Sequence, residues 1–365
     1  MPSNREKMMA VYRNQLPRGI PLACYSFMLP NGRSERIARE NGLGIIDHFP
    51  GVTLVSPPYF ARYECLSDVK NSEFSISYHW DAHELVEVHK YETPVGEVTQ
   101  HVAKEPGYGS YYRKKHYITE DEDYRIVQYI VENTIFRQCN QALSKRKKEL
   151  GEDGVIFSRL DRSPYQKLLI ELARPEKFLV DLYEVPGLVE PLLEALGDRL
   201  KEQFHMALDS EAEIIWAPDN ITCDMTPPGS FEKYLVPFYN RFGRGCEDAG
   251  KVFAVHMDGK LDGLKEIISK TAVHVIESFS LPEIGGNIPA HKIKDTFPDQ
   301  VVCPNFPSSI SRMNKDDIKA YLRNLFQAFG RTKPFMLQIS EDIPALLLDH
   351  VLETLNEFVR EQETA

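Results

Sequence analysis

Short apolar runs bounded by turn residues alternate, through most of this chain, with stretches whose apolar positions recur every three or four residues. The unit is clearest from Lys251 onward. Val252 to Val255 is an apolar run between Gly250 and Asp258-Gly259, the pattern of a buried parallel strand, and His256 stands at its end. Leu261, Leu264, Ile267 and Ile268 then follow a helical spacing, and a second strand over 272–276 stops at Glu277. The same rhythm predicts strands at GVIFSRL, at 213–217 before Pro218-Asp219-Asn220, at 301–303 before Pro304-Asn305, and at 335–339 before Ser340-Glu341-Asp342. Helices are predicted over 164–173, 175–183, 186–208, 231–248 with a break at Pro237, 316–329 and 345–360.

The N-terminal third departs from this rhythm. A helix over 4–13, capped by Ser3 or Asn4 and ended by Pro17, leads into a buried strand at GIPLACYSF. A short helix over 34–41 and a strand over 42–49 ending in Asp47-His48 come next. Between about 52 and 105 the period falls to two, as at Phe74, Ile76 and Tyr78 and again in TPVGEVTQHV, which predicts an inserted antiparallel hairpin. GYGSYYRKK, over 107–115, reads either as a loop over a site or as a solvated turn. The expected fold is therefore α/β: one (β/α)8 TIM barrel spanning 1–365, with a hairpin inserted in its N-terminal third.

Composition narrows the function. A net charge of −11 lacks the basic footprint of a nucleic-acid binder. Cys24, Cys65, Cys139, Cys223, Cys246 and Cys303 are scattered with no close pair, so neither a thiolate zinc knuckle nor a disulfide framework is expected. The N-terminus lacks the apolar core of a secretory signal and no run is long enough to span a bilayer, so the expectation is a cytoplasmic protein without membrane contact.

In a (β/α)8 barrel the carboxyl ends of the strands meet on one open face. Collecting the polar residues expected there gives Asp219, Asn220 and Asp224, then His256 and Asp258, then Glu277, Asn305 and Glu341. So many carboxylates on one face are costly unless protons or a cation neutralise them. Zinc accepts imidazole nitrogen and carboxylate oxygen, and a catalytic site leaves one position open. The preferred ligands are His256, Glu277 and Glu341, with Asp258 as alternate ligand or support. Asp219, Asn220, Asp224 and Asn305 are assigned to substrate contacts. The plainer reading of any one of these residues is a hydrogen-bonded structural histidine or an ion-paired carboxylate. GRGCEDAGK is not a phosphate loop, because it lacks the final Ser/Thr and leads into a strand.

Several segments together resemble the uroporphyrinogen decarboxylase superfamily, which includes the cobalamin-dependent methyltransferases. They are NREKMMAVYRNQLPRGIPL, YETPVGEVTQ followed by HYITEDEDYRIVQYIVEN, PPGSFEKYLVPFYNRF, DAGKVFAVHMDG and ISEDIPALLLDHVLETL. The arginine-rich MRQAGR motif of the decarboxylase branch is missing, since CYSFMLPNGRSER stands in its place. The thiol-methylating branch holds zinc through a His-x-Cys-Gly motif and a later cysteine. Here the motif reads His256-Met257-Asp258-Gly259, and the later cysteine falls at or near Glu341. Oxygen ligands in place of thiolates leave a harder, more electrophilic ion, suited to an oxygen-bearing substrate.

The resemblance thus implies a zinc-dependent methyltransferase acting on a small methoxylated donor such as an aryl methyl ether, with quaternary amines as a second donor class. The corrinoid signature D-x-H-x-x-G is absent, its nearest fragment being Asp81-Ala82-His83, so cobalamin is expected on a separate corrinoid-binding protein. A homodimer is also implied. The alternatives are a decarboxylase-like lyase acting on another carboxylic acid, with Arg33, Arg36 and Arg159 available for its substrate, and a non-catalytic ligand-binding barrel.

Overall fold

The computed structural model describes residues 2–29, 32–50, 68–104, 111–137, 140–329 and 333–364. Its chain clusters into two compact units, one of Met1–Phe49, Asn140–Arg159 and Ser210–Ala365, the other of Pro50–Cys139 and Leu160–Asp209.

The first unit holds eight parallel strands: β1 (Leu22–Tyr25), β2 (Leu43–Pro50), β3 (Gly154–Arg159), β4 (Ile214–Ala217), β5 (Val252–His256), β6 (Val275–Phe279), β7 (Val301–Pro304) and β8 (Leu337–Ile339). They lie in the order β7-β6-β5-β4-β3-β2-β1-β8, and a parallel bridge from Asn305 to Gln338 joins the two ends. The ring is the (β/α)8 barrel that the apolar runs predict. Because side chains alternate along a strand, every second residue faces the interior. A single buried cluster collects them: Ala23 and Tyr25, Ile46, Val155 and Phe157, Ile214 and Trp216, Val252 and Ala254, Val275, Val301 and Cys303. Continuing the alternation one step toward the carboxyl ends reaches His48, Arg159, His256, Glu277 and Asn305, all buried. A packed apolar interior under a polar upper layer is what positions the candidate site.

The N-terminal helix, Asn4–Tyr12, supplies Met8, Met9, Val11 and Tyr12 to the same cluster. Ser3 caps it and Glu6 returns a hydrogen bond to the cap, a reciprocal pairing that satisfies two otherwise orphaned amides. The helix ends at Tyr12, well before Pro17, because Asn14 takes a left-handed conformation at φ 56°.

Three expectations change on this unit. The strand carrying Glu277 runs Val275–Phe279, so Glu277 lies inside the strand and not at its end. The helix expected over 261–270 contracts to single turns, Asp262–Leu264 and Lys265–Ile268. The break at Pro237 takes the form of a wide π turn over Phe231–Leu235 before the α-helix Val236–Asp248, which accommodates a residue without an N–H.

The second unit contains a four-stranded antiparallel sheet, Glu73–Asp81, Glu84–Thr93, Gly96–Lys104 and Tyr111–Lys115, in sequence order. The insertion is therefore more than a hairpin, because part of the stretch read as a loop or turn forms the fourth strand; residues 52–67 and 107–110 lie outside the described residues. Helix Asp121–Glu132 packs on this sheet so closely that a Cβ at Gly96 would sit 2.7 Å from Ile126 Cδ1. Lys167 is buried between Asp161, at 3.0 Å, and Glu171, at 2.6 Å, and Arg162 meets Glu171 at 2.9 Å. Among the described residues no helix is long and apolar enough to cross a membrane.

Candidate active site

His256 closes β5 and Glu277 is its register neighbour on β6, so the two side chains enter the barrel side by side. Glu277 is fully buried and accepts from three directions. Tyr25 Oη donates to its Oε1 in a short hydrogen bond, and Trp216 Nε1 donates to Oε2 at 2.9 Å. His256 Nδ1 lies 2.8 Å from the same Oε2. With Nδ1 carrying the proton toward this carboxylate, Nε2 is turned the other way, where Asp258 Oδ2 lies 3.4 Å off. Asn220 Nδ2 donates to that Asp258 oxygen at 2.8 Å.

Local backbone features aim these groups. Asn220 and Ser278 both take left-handed conformations, with φ 51° and 56°, sparsely populated for residues with a Cβ. Ser278 sits in an irregularity of β6 between Ile276 and Phe279, and its N–H donates to Gln338 Oε1 at 3.3 Å. Glu277 faces the interior by regular alternation with Val275, in register with His256, and the irregularity at Ser278 re-aims the strand beyond it.

Glu341 follows β8 and accepts from Ser308 Oγ at 3.3 Å. Burial raises its carboxyl above the ordinary value and the nearby Asp258 charge adds to the effect, while Ser308, Asn305 and His256 oppose it. Asn305 uses its Oδ1 for the Ser340 amide at 3.1 Å, and its buried Nδ2 leans toward Glu341 without a hydrogen bond of full geometry. Burial also works against a charged His256, but Asp258 and Glu277 outweigh it and raise the imidazole to about 10. Burial raises Asp258, but the charge and hydrogen bond of His256, a backbone hydrogen bond and the Asn220 amide together leave it below the usual carboxylate value. Tyr25 is pushed well above its usual range by burial and by Glu277, so it remains a donor.

The residues expected from sequence thus separate. His256, Asp258, Glu277, Asn220, Asn305 and Glu341 belong to this cluster. Asp219 is buried and accepts from Tyr239 Oη at 2.7 Å. Asp224 pairs with Lys260 at 2.8 Å on the exposed surface. Glu277, expected as a ligand, has both oxygens engaged by Tyr25, Trp216 and His256, the contacts of a carboxylate that orients an imidazole.

Tyr25, His48 and Trp216 were not among the expected site residues, because aromatic residues at alternate positions of a strand read as core. Their signal is the alternation itself, carried to the strand end. The His48 ring stands 4.3 Å from Tyr25, 4.5 Å from Trp216 and 5.1 Å from Phe157, edge to face. Among the described residues neither of its nitrogens has a hydrogen-bond partner. Burial, Arg159 and His256 hold it well below the ordinary histidine value, so it is a neutral imidazole.

Among the described residues no three His, Cys, Asp or Glu side chains are gathered into a metal-binding group. The donor types nevertheless suit zinc. Two ligand atoms on one tetrahedral zinc, at bonds of about 2.0–2.1 Å, stand roughly 3.3 Å apart, and His256 Nε2 and Asp258 Oδ2 are separated by 3.4 Å.

No curated protein matches the chain. Among solved structures, a methyltransferase from Methanosarcina mazei is similar over 99% of this chain and 99% of its own, with a TM-score of 0.57 and 13% identity, a likeness that extends to the fold. The sequence profile named uroporphyrinogen decarboxylase (URO-D) matches residues 168–362, more than half of the chain. That stretch includes five of the barrel strands together with His256, Asp258, Glu277 and Glu341, and the chain belongs to the uroporphyrinogen decarboxylase family.

Proposed function

We propose that this chain is a zinc-dependent methyltransferase that moves a methyl group from a small methoxylated donor, an aryl methyl ether, to a separate corrinoid protein. The observation that carries this reading is the two-sided setting of His256: Nδ1 bound to buried Glu277 at 2.8 Å, and Nε2 facing Asp258 at a separation two zinc ligands would have. In this reading His256 and Asp258 hold the ion and Glu341 completes the set. A cation would also relieve the like-charge cost that raises Glu341 beside Asp258. Bound there, zinc supplies a Lewis acid for the ether oxygen as the methyl group leaves.

The protein's own side chains do the rest. Glu277 fixes the imidazole tautomer, Tyr25 and Trp216 fix Glu277, and Asn220 fixes Asp258. The aromatic edges of Tyr25, Trp216 and His48 limit water around His256. With no corrinoid signature in the chain, cobalt comes on a partner. The similar fold of the Methanosarcina mazei methyltransferase is compatible with this reading.

A decarboxylase-like lyase is the second reading. Buried Arg159, 6.0 Å from the Trp216 ring, offers a cation for a substrate carboxylate, and a protonated His256 would serve as its acid. Metal analysis before and after chelation separates the two, combined with the spectral change of cob(I)alamin on incubation with a methoxylated aromatic compound. Stoichiometric zinc that disappears in His256→Ala, together with cobalt methylation, is expected. A folded protein that binds no zinc and releases carbon dioxide from a carboxylic acid would establish the lyase.

A further inference from the structure

Ser278 of β6 makes its side-chain contacts with β8, a strand that is not its neighbour in the ring, since β7 stands between them. Its hydroxyl lies 2.7 Å from that of Ser340, and its N–H donates to Gln338 Oε1 at 3.3 Å. Gln338 belongs to the interior, where its Nε2 donates to Tyr12 of the buried cluster at 3.1 Å. The contacts of Ser278 therefore run across the inside of the barrel. The register gives the reason: Ile276 pairs with Val302 and Phe279 with Pro304, so Glu277 and Ser278 together oppose the single interior residue Cys303. One extra residue resets the alternation of a strand. Two consecutive polar side chains thus face inward, and Phe279 packs against Phe297, at 6.3 Å between ring centroids, after the helix Ile293–Thr296. The backbone of Ser278 is held at φ 56°, a conformation that residues with a Cβ avoid and that gathers at functional sites.

The polar groups gathered there are rich in donors. Of two facing hydroxyls one donates and the other accepts, so the Ser278–Ser340 pair keeps one O–H proton to give. Asn305, on the strand between them, uses its Oδ1 for the Ser340 amide at 3.1 Å, and among the described residues its Nδ2 has no hydrogen-bond partner. Ser278, Ser340 and Asn305 are neutral, with 1%, 7% and 0% of their surface in solvent. A donor buried without an acceptor is unfavourable until an acceptor arrives. The complement of this corner is an oxygen atom with lone pairs. A quaternary ammonium group has none to offer.

We propose that Ser278, Ser340 and Asn305 form a hydrogen-bond-donor subsite for an oxygen of the bound aromatic compound, tightest for the phenol that remains after demethylation. The identity of that compound rests on the methyl-transfer reading. The donor geometry does not, because none of the three residues is a metal ligand in that reading. Ser340 directly precedes Glu341 in the chain, so the subsite borders the acid side of the candidate site.

Calorimetric titration of the full chain with phenol and with toluene, which has the same shape and no acceptor, tests it. The ratio of the two affinities is the quantity read, since the different hydration of the two compounds is common to every variant. Ser278→Ala and Ser340→Ala are each expected to lower the ratio roughly 3–10-fold, the worth of one neutral hydrogen bond. Ser278→Gly separates binding from packing. It removes the same hydroxyl and relieves the left-handed backbone, so its Tm should equal or exceed the wild-type value while its ratio falls as far as that of Ser278→Ala. A serine with a purely structural role would not move the ratio. The proposal is overturned if neither compound binds, or if the ratio is the same in the wild type and Ser278→Gly. Methylation of cob(I)alamin by anisole, measured alongside, keeps the two readings apart. Intact methylation with an unchanged ratio in all three variants removes the subsite and leaves the methyl-transfer reading; a Ser278-dependent ratio in a chain that methylates no cobalt keeps the subsite and removes that reading.

Discussion

Glu277 Oε2 lies 2.8 Å from His256 Nδ1 within the barrel interior, and this contact decides which imidazole nitrogen is left for chemistry. Because Glu277 also receives Tyr25 and Trp216, the histidine is held by a carboxylate that is itself held. Replacing Glu277 by Ala strands three buried polar groups. Removal of one partner from a buried charged network costs about 3–5 kcal/mol, and denaturant unfolding should show a loss of that size. Glu277→Gln keeps the volume and should weaken zinc affinity roughly 10–100-fold, the usual effect of losing an outer-shell carboxylate. Competition with a chromophoric chelator measures it, and an unchanged affinity would remove Glu277 from the supporting role.

His48 gives a different expectation. It is buried among Tyr25, Phe157 and Trp216 with neither nitrogen hydrogen-bonded among the described residues, and an unsatisfied buried polar group costs about 1–3 kcal/mol. His48→Phe should therefore leave stability unchanged or raise it by up to that amount. If the neutral imidazole contacts the donor, the same variant raises KM. A variant of lower stability with unaltered KM would show that His48 serves packing alone.

Acid sensitivity is expected in the second unit. Burial lowers His116 to about 4, with Arg113 and Arg174 adding to the effect and Glu176 and the Ile170 backbone opposing it. Between pH 4 and roughly 6.5, the ordinary histidine value, the unfolded chain binds more protons than the folded one, so stability falls as pH falls through that window. Below pH 4 this contribution no longer changes. His116→Gln should flatten the dependence of Tm on pH across the window, and a variant with the wild-type slope would rule out His116 as its source.

Gly154 opens β3 against the backbone of β2. A Cβ there would meet Ile45 O at 2.0 Å and Ile45 C at 2.8 Å, which no side-chain rotation relieves. Gly154→Ala should cost about 1–3 kcal/mol or more through strand displacement. Thermal unfolding checks it against Gly187→Ala, a helical position whose Cβ meets nothing within 4 Å and where the same substitution should not lower Tm.

The local pattern was enough to establish the barrel. Runs such as Val252 to Val255 are buried on both faces, and the alternation of short apolar runs with helical periods leaves few folds besides a closed parallel sheet. It was enough, too, to put His256 at a strand end. The sequence reading made Glu277 a preferred ligand and Asp219 and Asp224 substrate contacts, and only tertiary structure showed which partners each of these acids meets. Asp219 met the hydroxyl of Tyr239, Asp224 met Lys260 in solvent, and Glu277, two residues beyond interior Val275 in a strand that runs on to Phe279, met Tyr25, Trp216 and His256. Periodicity is a property of neighbours along the chain, so it assigns a residue to an element and a face. Which partner reaches a carboxylate depends on groups far apart in sequence, such as Tyr25 and Trp216, and their convergence exists only once the ring has closed.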